Sequence, residues 1–104
     1  MNPQATGTST TAPAPKTPEF VLHLFVSGQT FRSTRAIVNV RNVCEQHLKG
    51  RYELKVVDVL LDPRIAAAEQ LIALPTLVKK FPKPVTRFIG DLSDTDRLLA
   101  RIRI

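Results

Sequence analysis

The stretch Leu74-Pro75-Thr76-Leu77-Val78-Lys79-Lys80-Phe81-Pro82-Lys83-Pro84-Val85-Thr86-Arg87-Phe88-Ile89-Gly90-Asp91-Leu92-Ser93-Asp94 decides how the second half of the chain is built. Three prolines lack the amide proton a helix needs, so no continuous helix crosses it. Two short runs, 74–79 and 85–89, are rich in β-branched and large apolar residues. Residues 81–84 are suited to turn between them, which predicts a hairpin. The Asp91 to Asp94 cluster then offers oxygens that cap a helix start. Leu92, Leu98, Leu99 and Ile102 supply the apolar stripe of a short final helix.

Working outward, Phe20-Val21-Leu22-His23-Leu24-Phe25-Val26 is an apolar run broken by one histidine, as expected of a central strand covered on both faces. Thr30 can cap the next element. Ala36, Ile37, Val40, Val43, Cys44 and Leu48 recur every three to four residues, which predicts an amphipathic helix over 31–49 ended by Gly50. Residues 52–61 read as a second buried strand. Asp62-Pro63 opens a helix over 64–72, favoured by Ala66-Ala67-Ala68. The order is βαβ-α-ββ-α, an α/β thioredoxin-like arrangement with a parallel first crossover. Redox domains of that layout carry a cysteine pair between the first strand and first helix. Here that junction is Ser27-Gly28-Gln29-Thr30-Phe31, and the single cysteine, Cys44, falls on an apolar helix position. Disulfide exchange needs a thiolate and a resolving partner, so the layout points to binding rather than catalysis, with no enzyme activity and no cofactor.

The chain has 104 residues and a net charge of +6. Residues 1–18 are mostly Thr, Ala, Pro, Ser and Gln, with one charged side chain, Lys16, and read as a disordered tail. Residues 19–104 form the domain. No secretory signal or membrane-spanning run is present, which predicts a cytoplasmic protein with no membrane partner. Neither His23 nor His47 has companions at metal-ligand spacing. Aromatic residues sit in apolar strand patterns, and no nucleic-acid signature accompanies the positive charge. The local basic group Lys79, Lys80, Lys83 and Arg87 fits an acidic protein partner better than nucleic acid.

Six segments in order carry a family resemblance: residues 24–30 (LFVSGQT), 33–36 (STRA), 52–60 (YELKVVDVL), 62–63 (DP), 74–77 (LPTL) and 89–94 (IGDLSD). Together they make the chain similar to the KaiB family of clock proteins. The departures are the Pro-rich start, Pro82-Lys83-Pro84 in place of three prolines, and Arg101 and Arg103 near the end. The resemblance implies a non-enzymatic regulator that binds the N-terminal ring of a KaiC-like ATPase and modulates its phosphorylation and ATPase cycle. KaiA is implied as a partner only if the organism has it. The resemblance also implies two folds, a homo-oligomer (tetramer or dimer) with a differently arranged C-terminal half, in equilibrium with a thioredoxin-like monomer that binds. By match to the family, Arg35, Lys55, Lys79 and Arg87 are the partner-binding candidates. Pro75, Thr76, Pro82 and Pro84 are the fold-switch and cis-proline candidates. Phe81 reads equally as an exposed contact or as core. The alternative function is a stress-response adaptor or sensor-type interaction module on the same scaffold.

Overall fold

The computed structural model describes Thr8, Ser9 and residues 15–102. In chain order the elements are β1 (Thr8–Ser9), β2 (Phe20–Val26), α1 (Phe31–His47), β3 (Tyr52–Asp58), α2 (Arg64–Ala68), β4 (Thr76–Phe81), β5 (Thr86–Ile89) and α3 (Thr95–Ile102). The strands form one sheet in the order β1-β3-β2-β4-β5. β2 and β3 are parallel, from Phe20 opposite Tyr52 to Val26 opposite Asp58. β4 runs antiparallel to β2, and β5 antiparallel to β4. The βαβ-α-ββ-α order is therefore present, with β1 added at the β3 edge. The calls for residues 1–7, 10–14 and 103–104 lie outside the described residues.

β2 is central because its side chains suit burial on both faces. Leu22 and Leu24 are sealed under α1 and α3, and Phe25 packs on the opposite face with Val57, Val59 and Val78. Along β3, Tyr52, Leu54 and Val56 face the α1 side while Val57 faces the α2 side, the period of two expected of a strand. α1 lays Ala36, Val40, Val43 and Cys44 on that core. Its start is capped as the sequence suggests: the Ser33 N–H donates to Thr30 Oγ1 at 3.2 Å. Tyr52 donates its hydroxyl to Glu45 Oε2 at 2.6 Å, tying β3 to the helix.

Several boundaries differ from expectation, each for a local reason. α1 stops at His47, with Leu48 as its cap, and Gly50 (φ +79°) turns the chain two residues later. β3 ends at Asp58 because that carboxylate accepts the N–H groups of Gly28 and Leu60, each at 2.9 Å, and bends the chain. α2 ends at Ala68 rather than continuing to 72. Gln70 takes the left-handed region (φ +55°), its N–H donates to Ala67 O, and the Leu71 N–H donates to Ala66 O at 2.9 Å. That is a Schellman close with Gln where Gly is usual; it drops Leu71 and Leu74 onto the Phe25 cluster. In β4, Lys79 corrects the reading of a surface basic group. It is 1% exposed, set opposite Leu22 on the face that also buries Leu77. Phe81, by contrast, is half exposed. The peptide bonds before Pro75, Pro82 and Pro84 are all cis.

α3 is held by a narrow seam. The Arg97 N–H donates to Asp94 Oδ1 at 3.2 Å at its start, and Leu98 and Ile102 are its buried residues. Ile102→Ala should lower unfolding stability by about 2–5 kcal/mol, read from the urea midpoint. A loss under about 1 kcal/mol would mean that α3 contributes little to the core.

Burial pushes the Cys44 thiol up to about 12, so it stays protonated at neutral pH. Iodoacetamide should label the native protein very slowly and the urea-unfolded protein at the ordinary rate. Fast native labelling would show that α1 opens or packs differently.

Burial lowers the pKa of His23 below its usual 6.5, helped by Lys80 and Lys55 and opposed by Glu69 and Glu53. The unfolded chain therefore binds this proton first. The stabilising effect is full above pH 6.5 and is lost as pH falls from there toward the folded-state value. Urea midpoints should drop between pH 7.5 and 5.5, and His23→Gln should flatten that slope. An unchanged slope in the variant would assign the dependence to other groups.

Candidate functional site

Strand directions gather four connections at one end of the sheet. β2 and β3 end there together, β4 begins opposite them with Thr76 facing Phe25, and β5 ends there with Ile89 facing Thr76. The first residue of α1, the segment after β3, the approach to Pro75 and the β5–α3 loop therefore share one rim. Five of the large apolar residues left in solvent lie on it: Phe31, Leu60, Leu61, Ile72 (92% exposed) and Ile89. Scattered exposed leucines are ordinary on a protein surface. A set gathered at one end, rimmed by charge, is the signature of an interaction surface.

The rim is built by side chain-to-backbone bonds between segments far apart in sequence. Asn39 Nδ2 on α1 donates to Asp91 O at 2.7 Å. Arg35, one turn earlier, places Nε 3.7 Å from Asp91 Oδ2 and its guanidinium 5.5 Å above the Phe31 ring. The Gly90 N–H donates to Pro75 O at 3.0 Å. Gly90 sits at φ +112°, a conformation open only to glycine, so the loop closes there without strain. The Asp91 pKa is lowered, chiefly by the hydrogen bonds its carboxylate accepts from Ser93 and with a smaller contribution from Arg35. The group stays a charged acceptor. Thr76 Oγ1 donates to Ala73 O at 2.6 Å, fixing the turn into Pro75.

The junction before α1 holds no thiol. There the Ser27 N–H donates to Ser33 Oγ at 3.1 Å, and Gly28 (φ +59°) lets Leu60 approach. A Cβ at Gly28 would sit 2.9 Å from Leu60 Cδ1. Cys44 lies buried in the α1 seam with its proton held firmly, so the chain presents no thiolate here. Among the described residues no three His, Cys, Asp or Glu side chains are grouped to hold a metal ion. No helix of the described residues is long and apolar enough to cross a membrane. A cavity of about 350 Å³ lies between the β5–α3 loop and α3, lined by Asp91, Asp94, Arg97 and Arg101. Arg101 stacks at 5.5 Å on Phe88.

The residues singled out by sequence scatter across this frame. Arg35, Pro75 and Thr76 are at the rim. Arg87 reaches it from behind. Its Nη2 donates to Glu69 O at 2.7 Å and its Nη1 to Gln70 O at 3.4 Å, bracing the segment that carries Ile72. Lys55 is exposed mid-way along β3, beside His23 in the register and away from the rim. Lys79 is sealed in the core. Pro82 and Pro84 lie in the β4–β5 turn at the other end of the sheet. Leu60, Leu61, Ile72 and Ile89 were missed, because apolar residues beside strand ends read as core until the topology shows nothing covering them. Lys80 pairs with Glu69 at 2.8 Å and is half-buried, so it adds little free charge.

Solved structures share this arrangement. The N-terminal domain of SasA from Synechococcus elongatus superposes with a TM-score of 0.67 at 24% identity, covering 89% of this chain and 88% of that one. Mitochondrial thioredoxin 3 from Saccharomyces cerevisiae gives 0.66 at 16% identity, covering 83% and 78%. These likenesses establish the thioredoxin-like fold. In sequence, the protein named circadian clock oscillator protein KaiB from Synechococcus sp. (strain CC9311) is 49% identical over 80 residues, covering 77% of this chain and 67% of its own length. The protein of that name from Nostoc sp. (strain PCC 7120) is 48% identical, covering 77% and 74%, and the one from Thermosynechococcus vestitus 45% identical, covering 83% and 80%. The KaiB domain model matches residues 23–104, and with these identities over most of its length the chain belongs to the KaiB family.

Proposed function

We propose that this chain is a non-enzymatic timing regulator that works by docking. Its partner is the N-terminal ring of a KaiC-like ATPase in the cytoplasm, and the outcome is a change in that ATPase's phosphorylation and hydrolysis cycle. KaiA joins only where the organism has it. The observation that carries the reading is the apolar rim on a thioredoxin-like frame whose first loop holds no thiol. Family membership supports it, since the relatives bear the name of a circadian clock oscillator protein. Arg35 and Arg87 serve the rim as positioning groups, one through Asp91 and Phe31, the other through Glu69 and Gln70.

A change of fold in the C-terminal half, between an oligomer and this monomeric arrangement, belongs to the same proposal. Uneven anchoring supports it: α2 buries no residue and α3 buries only Leu98 and Ile102. Two packings of one sequence can coexist when they differ by a few kcal/mol.

Ile72→Asp and Leu61→Glu should each weaken binding to a purified KaiC-type ATPase by roughly tenfold or more, the loss expected of an apolar anchor. Val38→Asp, exposed on α1, should leave binding unchanged. Biolayer interferometry with and without ATP reads this. Absence of association in every nucleotide state would end the proposal, and equal loss in all three variants would move the docking face elsewhere.

A further inference from the structure

The cavity of about 350 Å³ beside α3 falls within the size range of small-molecule sites, about 300–1,000 Å³. Arg97 and Arg101 form its helix wall. They are four residues apart, so both project from one face of α3, about 6 Å from each other along its axis. Both residues are exposed, and among the described residues neither guanidinium is ion-paired. Phe88 holds Arg101 in place, its ring centroid 5.5 Å from the guanidinium carbon. That contact covers one face of the planar guanidinium and leaves the other free. Phe88, Leu92 and Leu98 are buried and give the cavity an apolar floor. Arg87 also lines it, but its guanidinium is engaged by Glu69 O and Gln70 O.

The loop wall is acidic. Asp91 is occupied by the Ser93 N–H at 3.1 Å and by Arg35. Asp94 Oδ1 accepts the Arg97 N–H at 3.2 Å, and its Oδ2 takes no hydrogen bond among the described residues. A bare inorganic anion would meet that carboxylate unfavourably. A ligand with phosphate at one end and hydroxyl donors beside it satisfies both walls. Guanidinium groups hold phosphate oxygens in a bidentate fork. A carboxylate accepts from ribose hydroxyls, and the plane of an arginine stacks on a nucleobase. We propose that this cavity is a nucleotide site, with phosphate on Arg97, ribose hydroxyls on Asp94 and the base on the free face of Arg101. The site belongs to the protein alone and does not rest on the ATPase-docking reading.

The test is isothermal titration of the full-length protein with ADP in low-salt, magnesium-free buffer, with no partner present. Binding should saturate at one ADP per chain. Arg97→Gln and Arg101→Gln should each weaken it by roughly tenfold, the loss of a charged hydrogen-bond partner. Arg101→Lys should not recover the loss, because an ammonium keeps the charge without the plane. Asp94→Asn, which keeps an oxygen to cap Arg97, should weaken ADP and leave pyrophosphate unaffected. Arg41→Gln, exposed on α1, should bind ADP as the unaltered protein does. Urea midpoints show that each variant is folded. No saturable ADP binding overturns the proposal, and so does pyrophosphate binding as tightly as ADP, which would leave an anion site only. Equal loss in Arg41→Gln and the α3 variants also overturns it, since the attraction would then be one of overall charge.

Discussion

The burial of β2 on both faces is the constraint on which the rest of the molecule depends. A strand covered twice must be apolar on both sets of alternating side chains, and must find backbone partners on both edges. β3 and β4 supply those partners, one parallel and one antiparallel. The parallel neighbour demands a long crossover, and α1 is that crossover. Its apolar stripe is then committed to the β2–β3 face. The antiparallel neighbour leaves β4 free to fold back as a hairpin with β5. Every connection at the rim inherits its position from these two choices.

That geometry explains why the proposed docking surface falls on the rim. The frame delivers a tight first loop, a proline turn and a glycine-hinged third loop to one place. What occupies it is Gly28, Leu60, Ile72, Pro75, Ile89 and Asp91, with Arg35 lying between Phe31 and Asp91. The Asp91 carboxylate is spent on Ser93 and Arg35. The cysteine is elsewhere, sealed and protonated. The exposed groups are apolar, and the charged ones near them are braces. Contact between apolar surfaces is the interaction this surface is equipped to make.

How much of this was legible in the sequence depended on whether a signal was local. β2 was read to the residue, because six apolar positions and one histidine bounded by Glu19 and Ser27 leave no other register. Thr30 was read as a cap, and it is one. The hairpin was legible because prolines leave few alternatives. α2 was read too long: its end is set by Gln70 in a left-handed conformation, and glutamine carries no such signal. Lys79 was read as surface because it is charged, yet the period of two along β4 places it with Leu77 on the buried face. Its four-carbon stem fills that space. The pattern was the better guide than the charge. β1 had no sequence signature, since a two-residue ladder is specified by the edge it meets rather than by its own side chains.

The same reasoning separates the two halves of the domain by how firmly each is anchored. The first half is locked by α1, whose five buried residues lie on β2 and β3. In the second half, α2 is five residues long with none buried, and the loops around it are held by Arg87 and by the Lys80–Glu69 pair. Partly exposed ion pairs contribute little to stability, about 0–1 kcal/mol. Apolar seams contribute more, and here the seam is Leu92, Leu98 and Ile102. A chain so unevenly fastened opens first where its contacts are fewest. That region borders the rim, so the residues best placed to meet a partner are also those least constrained by the core.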